Sequence, residues 1–300
     1  MSNRVLVIKL GALGDFVQAA GPFAAIRDFH RRDTITLLTT RPFAEFAARS
    51  PWFDEVWIDS RPKLWQLEKL LGLRARLRDG GISRVYDLQT SDRSGFYAKL
   101  FWPSPRPDWS GIAAGCSLPH ANPRRDFMHT IDRQAEQLAM AGIDKVSTPD
   151  FDWVETDISR FCLHEKFAVL APGGAAHRPD KRWPMGRYAE LAEYLSGQGV
   201  QPVVISGVED QIDIDGVVNL TGETSLEDLF GLAGGAHLAV GNDTGPMHIF
   251  AAAGTPSLVL YSHASDPALC AQRGAKVEII RRENLDELSV EDVVSALPSS

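Results

Sequence analysis

The sequence predicts an α/β fold built from two parallel-sheet domains, and three observations support this prediction. Apolar runs of strand length alternate with helical segments, glycine-containing turns follow several of these runs, and the same alternation starts again near mid-chain. A length of 300 residues also accommodates two cores of about 150 residues each. We therefore expect an N-terminal domain over residues 1–155 and a C-terminal domain over residues 156–300, connected near residues 150–165.

The first half begins with a predicted strand, helix and strand. The apolar run RVLVIKL starts at Arg4 and leads into the turn GALGD, and small and apolar residues follow at helical spacing over residues 16–29. TITLLTT is the second strand. EVWID and RVYDLQ, at residues 55–59 and 84–89, repeat the strand pattern with helical sequence between them. This alternation is typical of a parallel sheet.

The second half repeats this order of elements. FAVLAPG, QPVVISG, AHLAVGND and PSLVLYS are predicted strands, and PMGRYAELAEYLSGQG, SLEDLFGLAGG and GPMHIFAAAGT are predicted helices between them. Ligands of open parallel sheets bind beyond the carboxyl ends of the strands. The candidate binding loops are therefore those that follow strands, at residues 11–15, 173–183, 207–210 and 241–248.

Composition limits the classes of function. Three cysteines without metal-ligand spacing favour a reducing compartment and predict neither a disulfide framework nor a metal site. The brief apolar run at the start is not typical of a signal peptide, and no 18-residue apolar stretch follows, so we expect a cytoplasmic protein. The net charge of -8 and the lack of a recognisable module disfavour a nucleic-acid partner.

The charge is distributed unevenly between the two halves. Residues 1–150 contain 21 Lys and Arg against 17 Asp and Glu, whereas residues 151–300 contain 10 against 22. The first half therefore carries +4 and the second -12, which indicates domains with different partners.

The segment GNDTGPMH places polar residues where a strand ends and a helix begins. Asp243 and Thr244 can cap the free N–H groups at the helix start, and the same groups can bind a phosphate. His248 follows Thr244 by one helical turn on the same face. The alternative interpretation is an ordinary N-cap with a surface histidine.

Two further loops carry candidate chemistry. PGGAAHRPDKRWP combines two glycines with Arg178, Lys181 and Arg182, which suits a diphosphate, although an incidental solvated loop has the same composition. It lacks the P-loop pattern. KLGALGD has two glycines without the full dinucleotide fingerprint, and no acid follows TITLLTT, so we expect no nicotinamide cofactor. Asp15 starts a helix there and could be a simple N-cap.

Taken together, KLGALGD, PGGAAHRPDKRWP and GNDTGPMHIFAAAGTP resemble the heptosyltransferase family, glycosyltransferase family nine, over nearly the whole chain. The resemblance implies a GT-B fold, in which two Rossmann-like domains face each other across a cleft. It implies an N-terminal acceptor domain and a C-terminal nucleotide-sugar domain, with the last helix as a candidate to pack back on the first domain. The implied reaction is a metal-independent, inverting transfer of heptose from ADP-heptose to the lipopolysaccharide inner core, at the cytoplasmic face of the inner membrane. No cofactor other than this donor is implied.

The resemblance also implies roles for individual residues. Asp15 is the expected general base, and Lys181 is expected to contact the donor phosphates and to assist departure of ADP. Glu209 is the expected ribose ligand, with Asp210 as the alternative. The other expected donor-binding residues are Gly173, Gly174, Ala176, His177, Asp243, Thr244, Gly245 and His248. The expected acceptor-binding residues are Gly14, Gln18, Arg61 and Lys63.

This sequence departs from the family pattern at two places. Ala176 and His177 stand where relatives commonly have hydroxyl residues, and VQAAGPFAAI, with Gln18, replaces a stretch that often contains a histidine. Transfer from another nucleotide sugar and a non-catalytic nucleotide-binding module therefore remain alternatives.

The segment at residues 61–80 combines a leucine-rich helical period with six Lys and Arg against two Asp and Glu. A basic amphipathic helix suits a membrane surface, so together with FWPSPRPDW it could approach an anionic, lipid-linked acceptor. The alternative is a helix packed by its leucines with a solvated basic face.

Overall fold

The computed structural model describes residues 3–148, 150–174, 178–210 and 212–298. The chain divides into two compact units, Met1–Trp153 and Val154–Ser300. Within the described ranges, no helix has both the length and the hydropathy needed to cross a bilayer.

The first unit alternates strands and helices. Its strands are β1 (Arg4–Ile8), β2 (Thr34–Thr39), β3 (Glu55–Ile58), β4 (Ile82–Asp87), β5 (Asp108–Gly111) and β6 (Leu118–Pro119). Its helices are α1 (Leu13–Gln18), α2 (Ala20–Phe29), α3 (Arg41–Arg49), α4 (Leu67–Asp79), α5 (Asp92–Tyr97) and α6 (Thr130–Met140). The strands form one parallel sheet in the order β3-β2-β1-β4-β5-β6.

The centre of this sheet follows from the sequence pattern. Strand β1 is buried from Val5 to Ile8, because a central strand of a parallel sheet has helices on both faces. The strand order reverses between β1 and β4, and their pairing places Ile8 beside Asp87. The loops after β1 and β4 therefore emerge at the topological switch point, where α/β sheets bind ligands.

The prediction of a single helix over residues 16–29 is wrong, because the structure contains two helices divided at Ala19. Pro22 has no N–H group to donate to the carbonyl of Gln18, which breaks the helical hydrogen-bond pattern at that turn. The break leaves α1 as a short separate helix that carries Asp15.

The second unit repeats the same architecture. Its strands are β7 (Phe167–Ala171), β8 (Gln201–Val204), β9 (Val218–Asn219), β10 (Leu238–Asn242), β11 (Ser257–Tyr261) and β12 (Val277–Arg281). Its helices are α7 (Met185–Gly197), α8 (Leu226–Gly235), α9 (Gly245–Ala252), α10 (Pro267–Cys270) and α11 (Val290–Ser295). The parallel sheet has the order β12-β11-β10-β7-β8-β9, so its switch point lies between β7 and β10.

The core of the second unit includes its last helix. Val290 and Val293 of α11 are buried in the same apolar cluster as Leu191 of α7 and Leu258 of β11. The Trp183 indole is also buried there and donates a hydrogen bond to the carbonyl of Leu288.

Candidate functional site

Asn242 joins the two central strand ends of the second unit. Its side-chain amide donates hydrogen bonds to the carbonyls of Pro172 (2.7 Å) and Gly173 (3.2 Å). Its side-chain oxygen accepts from the backbone N–H of Trp183 (3.0 Å) and from the Tyr188 hydroxyl (3.1 Å). Asn242 is fully buried, and these bonds fix the loop after β7 against β10. Sequence reasoning missed this residue, although it lies within the quoted GNDTGPMH motif.

Asp243 is surrounded by hydrogen-bond donors. One carboxylate oxygen accepts from the Lys181 ammonium (2.6 Å) and the Ser265 hydroxyl (2.7 Å). The other accepts from the Tyr261 hydroxyl (3.0 Å) and the Gln272 amide (3.1 Å). Burial alone raises the pKa of Asp243, but Lys181, Ser265 and Gln272 outweigh it, so the pKa lies below its ordinary value. The carboxylate is therefore ionised at neutral pH and fully occupied within the protein.

This network fixes the position of Lys181. The Lys181 and Asp243 side chains are only 14% and 8% exposed, so their ion pair is shielded from solvent. An ammonium group has three N–H donors, so Lys181 can bind a phosphate oxygen while it keeps its bond to Asp243. The structure thus brings together two predicted donor-binding residues, with Asp243 holding Lys181. Tyr261, Ser265 and Gln272 were not predicted.

Thr244 precedes α9 and does not act as an ordinary cap. Its side chain makes no capping hydrogen bond, and its buried hydroxyl has no partner among the described residues. The first N–H groups of α9, from Gly245 and Met247, lack intrahelical acceptors, and Pro246 has no N–H group. A hydroxyl beside helix N-terminal N–H groups that lack intrahelical acceptors is suited to an anion.

His248 is 8% exposed, which corrects the alternative that it is a surface histidine. It lies in the first turns of α9, close in sequence to the helix start. Gly245 and Thr244 are half-buried.

The glycine loop after β7 is shaped by packing. A Cβ atom on Gly173 would overlap the Ser206 hydroxyl and approach a carboxylate oxygen of Asp210 at 2.9 Å. Gly173 is therefore required by contact with the loop after β8. Gly174 is less crowded, since a Cβ atom there would meet Arg182 at 3.7 Å. Ala176 and His177 lie outside the described residues.

The structure distinguishes the two neighbouring acids after β8. Asp210 accepts hydrogen bonds from Arg182 (2.9 Å) and from the Ser206 hydroxyl (2.5 Å). The same guanidinium donates to the carbonyl of Gly174. Asp210 therefore ties two loops together, whereas Glu209 is exposed and available to a ligand.

Asp15 lies in the first turn of α1 and is half-buried. One carboxylate oxygen accepts from the Ala12 N–H at 3.2 Å, a capping interaction that leaves the other oxygen outside this bond. Two cations lie near it. Burial lowers the pKa of Lys9, and the Asp15 carboxylate opposes that shift. Burial and the Arg125 guanidinium lower the pKa of Arg133, and the Asp15 carboxylate opposes this shift as well.

The four residues expected to bind the acceptor are all in the first unit but have different surroundings. Gly14 and Gln18 are buried within α1. Arg61 donates from its guanidinium to the Leu10 carbonyl and from its backbone N–H to Asp59 (2.7 Å). Lys63 is exposed, with its ammonium 4.9 Å from the centre of the Trp65 ring.

Within the part of the chain that the structure describes, no three His, Cys, Asp or Glu side chains are grouped as a metal site requires.

The sequence profile of glycosyltransferase family 9 (heptosyltransferase) matches residues 72–295. The chain belongs to glycosyltransferase family 9. The family match begins after Asp15, so the role of Asp15 depends on the N-terminal motif alone.

Curated relatives of this chain include heptosyltransferases of Salmonella typhimurium and Haemophilus influenzae. Lipopolysaccharide heptosyltransferase 2 of Salmonella typhimurium is 34% identical over 120 residues, which covers 36% of this chain and 34% of the relative. Lipooligosaccharide heptosyltransferase 2 of Haemophilus influenzae is also 34% identical over 120 residues, with the same coverage. The match therefore spans about a third of the length of these relatives.

Solved structures of similar proteins share the fold over nearly the whole chain. A glycosyl transferase family 9 protein from Veillonella parvula has a TM-score of 0.81 at 20% identity, covering 98% of this chain and 95% of its own. The E. coli ADP-heptose lps heptosyltransferase II has a TM-score of 0.78 at 21% identity, with 98% and 97% coverage. E. coli heptosyltransferase WaaC with ADP has a TM-score of 0.75 at 19% identity, with 97% and 98% coverage. The expected fold class, the two Rossmann-like domains of GT-B, is confirmed.

Proposed function

We propose that this protein transfers a heptose from ADP-heptose to a hydroxyl of the lipopolysaccharide inner core, with inversion and without a metal ion. Membership of glycosyltransferase family 9 supports the class of reaction. The observation that carries the proposal is the anion-binding arrangement of the second unit, in which Lys181 and Thr244 follow adjacent central strands.

The donor diphosphate binds at this arrangement. Lys181 supplies positive charge from the loop after β7, and the N-terminus of α9 supplies N–H groups and the Thr244 hydroxyl. As the bond to the sugar breaks, charge develops on the departing ADP, and these donors stabilise it. Asp243 keeps Lys181 in place, and the exposed Glu209 binds the ribose hydroxyls.

The acceptor is activated by Asp15. Its carboxylate removes the proton from the attacking hydroxyl, as an inverting transfer requires one general base. Lys9 and Arg133 contribute positive charge near it, and the first 150 residues carry a net +4, which suits an anionic glycan acceptor.

An exposed apolar surface on α4 and its neighbouring segments contacts the membrane that carries the lipid-linked acceptor. We call this the α4 surface, and it comprises Leu64, Trp65, Leu67, Leu71 and Trp102. Their exposure ranges from 59% for Leu71 to 74% for Trp65. Leu77 is buried in the core, which agrees in part with a helix packed by its leucines, but Leu67 and Leu71 are not packed. Lys63, Lys69 and Arg74 add positive charge nearby, and large exposed apolar groups with cations suit an anionic bilayer.

The test is a product assay with purified protein, ADP-heptose and core-truncated lipopolysaccharide. We expect release of ADP together with an acceptor heavier by one heptose, and unchanged activity in EDTA. UDP- and GDP-sugars serve as competing donors. If the protein consumes one of those sugars and ignores ADP-heptose, the donor assignment is wrong and the alternative of another nucleotide sugar holds. If no donor is consumed, the catalytic proposal fails.

A further inference from the structure

The peptide groups of Leu10 are held by side chains from three other loops. The Leu10 N–H donates to the side-chain oxygen of Gln89 at 2.8 Å. The Leu10 carbonyl accepts from the Thr40 hydroxyl at 3.1 Å and from the Arg61 guanidinium at 2.5 Å. We call these three side chains, Thr40, Arg61 and Gln89, the Leu10 clamp.

The clamp lies just beyond the end of strand β1, where the chain no longer pairs with its neighbouring strands. Strand β1 ends at Ile8, and the Lys9 N–H still donates to the carbonyl of Leu38 in β2. Leu10 is the next residue, and its peptide groups would otherwise need water or a ligand. Loops at strand ends are usually the mobile parts of α/β proteins. Here three neighbouring loops replace the missing backbone partners.

The Gln89 arm of the clamp is itself fixed. Asp87 is fully buried, and one of its carboxylate oxygens accepts from the N–H groups of Gln89 (3.1 Å) and Thr90 (2.9 Å). Lys9 donates to the carbonyl of Leu88 at 3.1 Å. The loop after β1 therefore donates two hydrogen bonds to the loop after β4, one from the Leu10 N–H and one from the Lys9 ammonium.

The Arg61 arm is fixed in a similar way. Asp59 is 3% exposed and accepts from the Arg61 backbone N–H at 2.7 Å and from the Tyr97 hydroxyl at 2.6 Å. This places the start of the Arg61 side chain, which then reaches the Leu10 carbonyl. Arg61 was expected to bind the acceptor, yet the structure shows its guanidinium on the protein backbone.

The short segment between Leu10 and Asp15 has little conformational freedom. Only residues 11–14 separate the two, and the last two of these already belong to α1. Gly11 adopts a φ of +115°, and a Cβ atom there would lie 2.8 Å from the Phe43 ring. The Ala12 N–H then donates to the Asp15 carboxylate. The position of that carboxylate therefore depends on where Leu10 is held.

We propose that the Leu10 clamp positions Asp15 for proton abstraction, with Gln89 as its most testable member. This inference rests on the proposed role of Asp15 as general base. Gln89 is a positioning residue, because it acts through the backbone of Leu10.

The experiment compares Gln89→Leu, which removes the acceptor oxygen, with Gln89→Glu, which keeps one. Gln201→Leu is a matched control, because the Gln201 side chain also accepts a backbone N–H at 2.8 Å, from His164, at the start of β8 in the second unit. Single-turnover transfer from ADP-heptose, KM for both substrates and hydrogen exchange of the Leu10 amide are measured in the full chain.

We expect Gln89→Leu to lower the transfer rate about 10- to 100-fold, because small displacements of a catalytic group are costly. Exchange of the Leu10 amide should become about 3- to 10-fold faster, as loss of one hydrogen bond implies. Both KM values should stay within about twofold, and Gln89→Glu should restore most of the rate. In an Asp15→Asn background, Gln89→Leu should have no further effect on the rate.

Several outcomes overturn the inference. A normal rate with a protected Leu10 amide shows that the clamp is dispensable, and an equal loss in Gln201→Leu shows only general destabilisation. A raised acceptor KM at unchanged rate shows that Gln89 contacts substrate. If Asp15→Asn is fully active, the general-base proposal fails by itself, while the exchange of the Leu10 amide still reports whether the clamp exists.

Discussion

The ion pair between Lys181 and Asp243 gives the sharpest prediction for the second unit. Asp243→Asn keeps the shape of the side chain but removes its charge. Tyr261 and Ser265 can reorient their hydroxyl groups toward the new amide, whereas the Lys181 ammonium has no acceptor capacity and loses its counter-charge. Removing one partner of a buried pair typically costs about 3–5 kcal/mol. Because both side chains retain some exposure, we expect about 2–4 kcal/mol.

The effect also has a defined pH dependence. The pKa of Asp243 is lower in the folded protein than its ordinary value, so the stabilisation is fully present above the unfolded pKa of about 3.9. It is lost as the pH falls through the folded pKa. The difference in stability between the natural protein and Asp243→Asn should therefore be full at pH 7 and should shrink below about pH 4.

Differential scanning calorimetry measures this difference, with Asp215→Asn as a control that removes the same charge from an exposed carboxylate of the same unit. We expect the control to unfold within about 0.5 kcal/mol of the natural protein. If Asp243→Asn is as stable as the control at pH 7, the carboxylate does not anchor Lys181, and the electrostatic reasoning is refuted.

Three other predictions concern the proposed function. Lys181→Met should weaken ADP binding about 10- to 100-fold in calorimetric titration, since a charge-assisted hydrogen bond is lost, and a change below about twofold would contradict the donor site. Asp15→Asn should lower the transfer rate about 10²- to 10⁴-fold with unchanged ADP affinity, and retained turnover would exclude it as the base. Replacing Trp65 and Trp102 by serine should reduce co-sedimentation with anionic vesicles about tenfold, and unchanged co-sedimentation of this variant would exclude a membrane role for the α4 surface.

The central strands could be predicted from the sequence because they are buried on both faces. Strands β1, β7 and β11 each contain a continuous apolar run for this reason. The edge strand β3 was predicted from EVWID, but the edge strands β6, β9 and β12 could not be predicted in the same way. Strand β12 is half exposed and shows no apolar run, and β6 and β9 contain two residues each. Pairing with a neighbour, which the sequence does not display, defines these strands.

The candidate site likewise contains residues that the sequence predicts and residues that only the folded structure reveals. The motif around Asp243 and Thr244 was recognised because its residues are contiguous and follow a strand. The partners of Asp243 were missed because Tyr261, Ser265 and Gln272 lie 18, 22 and 29 residues further along the chain. No periodicity connects such positions, and only the folded arrangement of β10 and β11 brings them together.

The two units use buried polar groups in a comparable way. In the first unit, the side chains of the Leu10 clamp bond the peptide groups of Leu10, and one carboxylate oxygen of Asp15 takes no part in the bond to the Ala12 N–H. In the second, Asn242 and Asp243 are fully occupied by protein donors and acceptors, and the Thr244 hydroxyl has no partner among the described residues. A buried polar group without a partner is costly, and the Thr244 hydroxyl stands at the N-terminus of α9, where an anionic ligand could complete it. This argument makes Thr244→Val informative, because loss of the hydroxyl should raise the thermal stability of the free protein and weaken ADP binding in calorimetric titration.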